Sequence, residues 1–105
     1  PLWSRGLGDV YKRQNKDNTI VRALIDRMFE VAGHDVKYVD LIGRTDEWYQ
    51  QYTMTREQCD EWMKWGTHYI RTKKRCTKAM AEQQMAWFNV GYGLKIQESG
   101  DSVTK

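Results

Sequence analysis

Five cations, Arg71, Lys73, Lys74, Arg75 and Lys78, fall within eight consecutive residues. Lys64 lies two helical turns before Arg71, and Trp62, Trp65 and Tyr69 stand nearby in sequence. Lysine and arginine at this density can neutralise phosphates, and an exposed indole can stack on a base, so the constellation suits nucleic-acid binding. The candidate contact set is Lys64, Trp65, Arg71, Lys73, Lys74, Arg75 and Lys78. Gln83, Gln84 and Asn89 on the following helix would read base edges, as in a helix-turn-helix. A structural account competes with this one. Cations collect at a helix C-terminus because the macrodipole favours them there, and tryptophans in a small domain mainly fill the core.

Other chemistries find less support. Apart from Ser4, the serines are Ser99 and Ser102, both in a polar tail where nothing positions a base against them. Cys59 and His68 are nine residues apart on one helix and cannot touch. Cys76 follows Lys73, Lys74 and Arg75, which favour a thiolate, but a small half-buried residue is the simpler reading. Cys59, His68 and Cys76 lack zinc-ligand spacing, there is no CxxC, HxxxH or EF-hand loop, and His34 directly after Gly33 suits a helix C-terminus. The pairs Asp46/Glu47 and Asp60/Glu61 sit in first helical turns, where the dipole favours them, and adjacent helical residues point about 100° apart. Gly91-Tyr92-Gly93 is no dinucleotide fingerprint. No catalytic residue, metal ligand or cofactor is therefore expected, nor an enzyme.

The elements that must hold these residues are helical. The only proline is Pro1, and Ala, Met, Gln and Glu are frequent. A first helix spans about 19–32, capped by Asp17 or Asn18 and stopped by Gly33, with Val21, Leu24, Ile25, Met28 and Ala32 on its inner face and Arg22, Asp26, Arg27 and Glu30 facing water. A short helix over 46–52, capped by Thr45, presents Trp48, Tyr49 and Tyr52. Thr55 to Gln58 form a capping box for the next helix, with Met54 stapled onto Cys59. Its buried face is Cys59, Trp62, Met63, Gly66, Tyr69 and Ile70. The last helix starts near Thr77, buries Met80, Ala81, Gln84, Met85, Trp87, Phe88 and Gly91, and stops at Gly93 with Leu94 folding back. Between 34 and 44, Val36, Tyr38 and Leu41 alternate with polar residues. The connection reads as mostly irregular, with a short extended segment near 36–42, for which 94–96 is the one plausible partner, as the alternative. The expected fold is all-α: three main helices and one short one in a small single-domain bundle around Leu24, Met28, Trp62, Tyr69, Met85 and Phe88.

The chain has 105 residues, 17 basic and 14 acidic, with a net charge of +3. That length holds one core. No run approaches the roughly 20 apolar residues of a spanning helix and no signal-peptide core is visible, so a cytoplasmic protein without membrane contact is expected. Cys59 and Cys76, at opposite ends of one helix, are too far apart to bridge. Residues 4–14, from Ser4 through Asp9-Val10-Tyr11-Lys12-Arg13-Gln14, resemble a translated transposase sequencing adapter. This similarity marks residues 1–14 as a non-native segment of metagenomic provenance and leaves a helical domain at 15–96 and a flexible tail at 97–105. Without Arg5, Lys12, Arg13 and Asp9 the charge falls to +1, which weakens any argument for nucleic acid from net charge.

Residues 52–96 are similar to small proteins of T4-like tailed bacteriophages of marine origin. The likeness rests on Tyr52-Thr53-Met54-Thr55, Trp62, Trp65-Gly66, Ala81-Glu82, Met85, Trp87-Phe88 and Tyr92-Gly93-Leu94-Lys95. It implies a compact helical accessory protein and brings no catalytic residues. The leading expectation is a non-enzymatic protein that acts on a host or viral protein partner. The alternative is nucleic-acid binding at the basic corner. An apolar surface patch around Trp65 would favour the first, and convergence of the cations with Lys64 on one face the second.

Overall fold

A computed structural model describes residues 18–44, 48 and 50–97. Its elements follow in the order α1 (Asn18–Ala32), a 3₁₀ turn (Tyr38–Leu41), β1 (Thr53–Met54), α2 (Arg56–Lys74), α3 (Lys78–Tyr92) and β2 (Lys95–Ile96). The fold is the small all-α bundle expected from the sequence, with three helices as its main elements.

Local chemistry sets the helix ends. At the end of α1, Gly33 takes φ 82°. The Gly33 N–H reaches the Glu30 carbonyl at 3.1 Å and the His34 N–H reaches that of Phe29 at 2.9 Å, a Schellman motif. Thr55 and Gln58 close a reciprocal capping box on α2. Gln58 N–H donates to Thr55 Oγ1 at 3.1 Å, and Thr55 N–H to Gln58 Oε1 at 2.8 Å. Helix α2 ends where Arg75 enters the left-handed region, its N–H held by the Arg71 carbonyl. Thr77 then caps α3 through the Met80 N–H.

Packing follows from the apolar stripes. Ile20, Val21, Leu24, Ile25, Met28 and Phe29 of α1 meet Cys59, Trp62 and Ile70 of α2 and Ala81, Met85 and Phe88 of α3 in one buried cluster. The Trp62 and Phe88 rings lie 5.6 Å apart and Gly66 lies against Met85, so α3 runs back along α2 as an antiparallel hairpin. The Trp62 indole N–H donates to the Leu24 carbonyl at 2.9 Å, giving the buried indole its partner and fixing α1 across α2. Strands β1 and β2 pair in parallel, Thr53 with Lys95 and Met54 with Ile96, and the Gln97 N–H extends the pairing to the Met54 carbonyl. This tie closes the open end of the hairpin. His34 adds to it: Nε2 contacts the Thr53 carbonyl at 2.8 Å. Because a carbonyl only accepts, that nitrogen carries the proton.

Several expectations are corrected. Residues 36–42 form no strand. Asp26 accepts the Tyr38 N–H at 2.6 Å and Asp40 accepts the Lys37 N–H at 2.9 Å, which winds the chain into the 3₁₀ turn. The partner of β2 is β1. Met80 is 52% exposed, since the first turn of α3 overhangs the packed part of the hairpin. Met63 and Tyr69 are half-buried at the edge of the core. Ile20 and Phe29, absent from the expected face of α1, are buried. Asp26 and Arg27, expected in water, are partly covered. Of the short helix at 46–52, residues 45–47 and 49 lie outside the described residues, while Trp48 is helical and its carbonyl accepts the Gln51 N–H. The adapter-like segment, the Asp17 cap and residues 98–105 also lie outside them.

Candidate nucleic-acid interface

Helix α2 presents two polar faces on either side of its buried stripe. Lys64, His68 and Arg71 follow at spacings of four and three, so they share one face, with Lys64 and Arg71 about 10.5 Å apart along the axis. From α3, Lys78 and Glu82, also one turn apart, face them. Together with Met63 and Thr67 these residues line an open groove of about 540 Å³ between the two helices. The Thr67 hydroxyl is committed to the Met63 carbonyl at 2.9 Å. Among the described residues, no carboxylate lies within ion-pairing distance of Lys64, Arg71 or Lys78. Three unpaired cations, one imidazole and one carboxylate make the groove a site of net positive charge.

The other candidate residues are placed elsewhere. Trp65 lies about 100° around α2 from Lys64. It is half-buried and stacks on Tyr69 at 5.0 Å and 10°, with the Arg27 guanidinium 5.3 Å from its ring. With Tyr69, Asp26, Glu30 and Lys37 it lines a second hollow of about 260 Å³ toward α1. Lys73 lies over the Tyr69 ring at 5.6 Å, on this second face. Lys74 Nζ donates to Gln84 Oε1 at 2.9 Å, and Arg75 is exposed at the corner. The structure thus brings together Lys64, Arg71 and Lys78, and separates them from Trp65 and Lys73. Of the residues expected to read base edges, Gln84 is engaged by Lys74, Asn89 lies against Gly93, and Gln83 is exposed. His68 and Met63 were missed as groove residues. Their spacing of four from Lys64 and Thr67 was the signal available.

The cysteines are both free. Burial, with the neighbouring Asp60 carboxylate, pushes the Cys59 thiol up against the opposing pull of Arg56, which keeps it protonated and a poor nucleophile. Cys76 is half-buried against the core. Among the described residues no group of three His, Cys, Asp or Glu side chains is placed to hold a metal ion, and no helix is long and apolar enough to cross a membrane. What the groove can do chemically is bind an anion. No family model matches the chain, and neither does a curated protein or a solved structure.

Proposed function

We propose that the protein binds nucleic acid without catalysing a reaction on it, seating phosphates in the groove between α2 and α3 against Lys64, Arg71 and Lys78. One observation carries this reading: three cations from two helices converge on one groove and, among the described residues, none is paired with a carboxylate. Unpaired cations held together repel one another, and a polyanion relieves that repulsion while releasing its own counterions. Binding of this kind is independent of sequence, because phosphate contacts carry no base information and Gln84, one of the expected base-edge readers, is already engaged by Lys74. Such an activity suits an accessory protein of a tailed bacteriophage in the cytoplasm of its host.

A second reading, contact with a protein partner, is favoured by Val39 within the 3₁₀ turn and Ile42 just after it, which are 56% and 69% exposed. Fluorescence anisotropy with labelled DNA and RNA at 50 and 200 mM salt tests the first reading. The variant Lys64→Glu/Arg71→Glu/Lys78→Glu and an acidic peptide competitor run alongside. Salt-sensitive binding that the variant loses is the expected result. No binding at either salt would sink the nucleic-acid reading, and displacement by the acidic peptide at equal charge would redirect it to a protein partner.

A further inference from the structure

We infer that the nucleic acid this groove takes is single-stranded, one strand lying lengthwise between α2 and α3 with its phosphates clamped from both walls. The inference rests on the binding reading above and names its ligand. The cations stand on opposing walls: Lys64 and Arg71 belong to α2, and Lys78 belongs to α3. A ligand that meets all three must lie along the furrow between the two helices. Packed helices lie about 8–10 Å axis to axis with their side chains interdigitated, so the groove is a furrow of about that width on their outer surface, matched to one sugar-phosphate chain. A duplex can lay one backbone along the furrow but keeps its base faces stacked inside, out of reach of the lining.

Composition of the groove points the same way. Met63 lines it, the Thr67 hydroxyl is used within α2, and the aliphatic stems of Lys64, Arg71 and Lys78 extend its apolar surface. A single strand offers unstacked bases and sugars to such a lining, whereas a duplex hides its base faces in the stack. Glu82 is the one acidic lining residue and sits a turn beyond Lys78 on the same wall. It disfavours phosphate at that point and leaves room there for a base.

The test is fluorescence anisotropy of the 105-residue chain with a labelled oligothymidine and with a hairpin duplex of equal phosphate count, titrated from 50 to 200 mM salt. Lys64→Ala and Lys78→Ala, both exposed positions, are measured beside the parent, with circular dichroism to confirm that each is folded. The expected result is single-strand binding at least about tenfold tighter than duplex. Its slope of log affinity against log salt should be near −2, from about 0.7 per phosphate at three cations. Each variant should lower single-strand affinity severalfold and shallow that slope by about 0.7. Equal or tighter duplex binding overturns the inference and leaves the binding reading standing, as does loss confined to one wall's variant. Failure to bind either oligonucleotide overturns both.

Discussion

Replacing Gly66 with alanine tests the tightest contact in the bundle. A methyl group at position 66 would clash with the Met85 terminal methyl, stand 2.5 Å from the Met85 sulfur and lie 3.3 Å from Leu24 Cδ2. Unstrained carbon contacts begin near 3.5 Å, so Met85 must move, yet its side chain is fully buried and Leu24 closes the other side. Two effects oppose each other. Alanine gains about 1 kcal/mol over glycine in a helix interior, and overpacking costs about 1–3 kcal/mol. The net expectation is a loss of about 1 kcal/mol. The sign can be isolated by repeating the substitution in Met85→Ala, where the obstructing side chain is gone. Met85→Ala alone should cost about 2–5 kcal/mol, but within that background Gly66→Ala should stabilise by about 1 kcal/mol through helix propensity. Urea unfolding followed by tryptophan fluorescence reads both steps, a change of 1 kcal/mol moving the midpoint by about 0.3–1 M. If Gly66→Ala stabilises the parent, or has the same sign in both backgrounds, α2 and α3 do not approach through Gly66 and the packing account is wrong.

Trp62→Phe removes the indole N–H that the Leu24 carbonyl accepts and leaves unfilled space against Phe88, so a loss of about 2–3 kcal/mol is expected in the same urea assay. A change within 0.5 kcal/mol would show that this bond does not fix α1. Thr55→Ala opens the capping box at the start of α2 and should cost about 1 kcal/mol, with amide exchange accelerated at Gln58; unchanged exchange there would contradict it. Stability should also fall in alkali. Burial, the largest cause in each case, raises the Cys59 thiol and the Tyr92 hydroxyl in the folded chain, with Asp60 and Tyr38 adding to it. The unfolded chain therefore releases these protons first, and stability present below about pH 8.5 is lost as pH rises through the thiol range and then past about 10 for the phenol. Urea midpoints between pH 7 and 10.5 should decline, and Cys59→Ala should remove the first part of the decline; a flat profile would refute the sign.

What could be read from the residues alone divides along sequence separation. Thr55 with Gln58, Thr77 with Met80, and Gly33 with Glu30 act within one turn, so the helix starts and stops were legible from spacing. Phe29 was not, because it is buried by His34 and Tyr52, which close over it with ring centroids at 6.3 and 5.3 Å only after the chain has turned back. The alternation over 36–42 left a strand open beside an irregular connection, but the Asp26 carboxylate twelve residues earlier captures the Tyr38 N–H and decides for a 3₁₀ turn. Two-residue strands carry no pattern at all, and the β1–β2 pairing exists because the hairpin returns its ends to one place. The basic cluster was legible as composition and misleading as geometry. Trp65 is the neighbour of Lys64 in sequence and lies on another face, whereas Arg71, seven residues on, shares its face.

That difference also explains why net charge says little about this chain. Glu57, Asp60 and Glu61 are exposed on the first two turns of α2, where the helix dipole favours acids, and Arg71, Lys73 and Lys74 lie in its last turn. From Glu57 to Arg71 is about 21 Å along the axis at 1.5 Å per residue. The screening length at physiological ionic strength is about 8 Å, so the acidic end is screened from Arg71, whereas Asp60 and Glu61, one turn before Lys64, temper the field at that residue. A near-neutral total therefore coexists with a groove that attracts phosphate. The separation of charge along one helix, and not the sum of charges over the chain, is the quantity on which the binding reading depends.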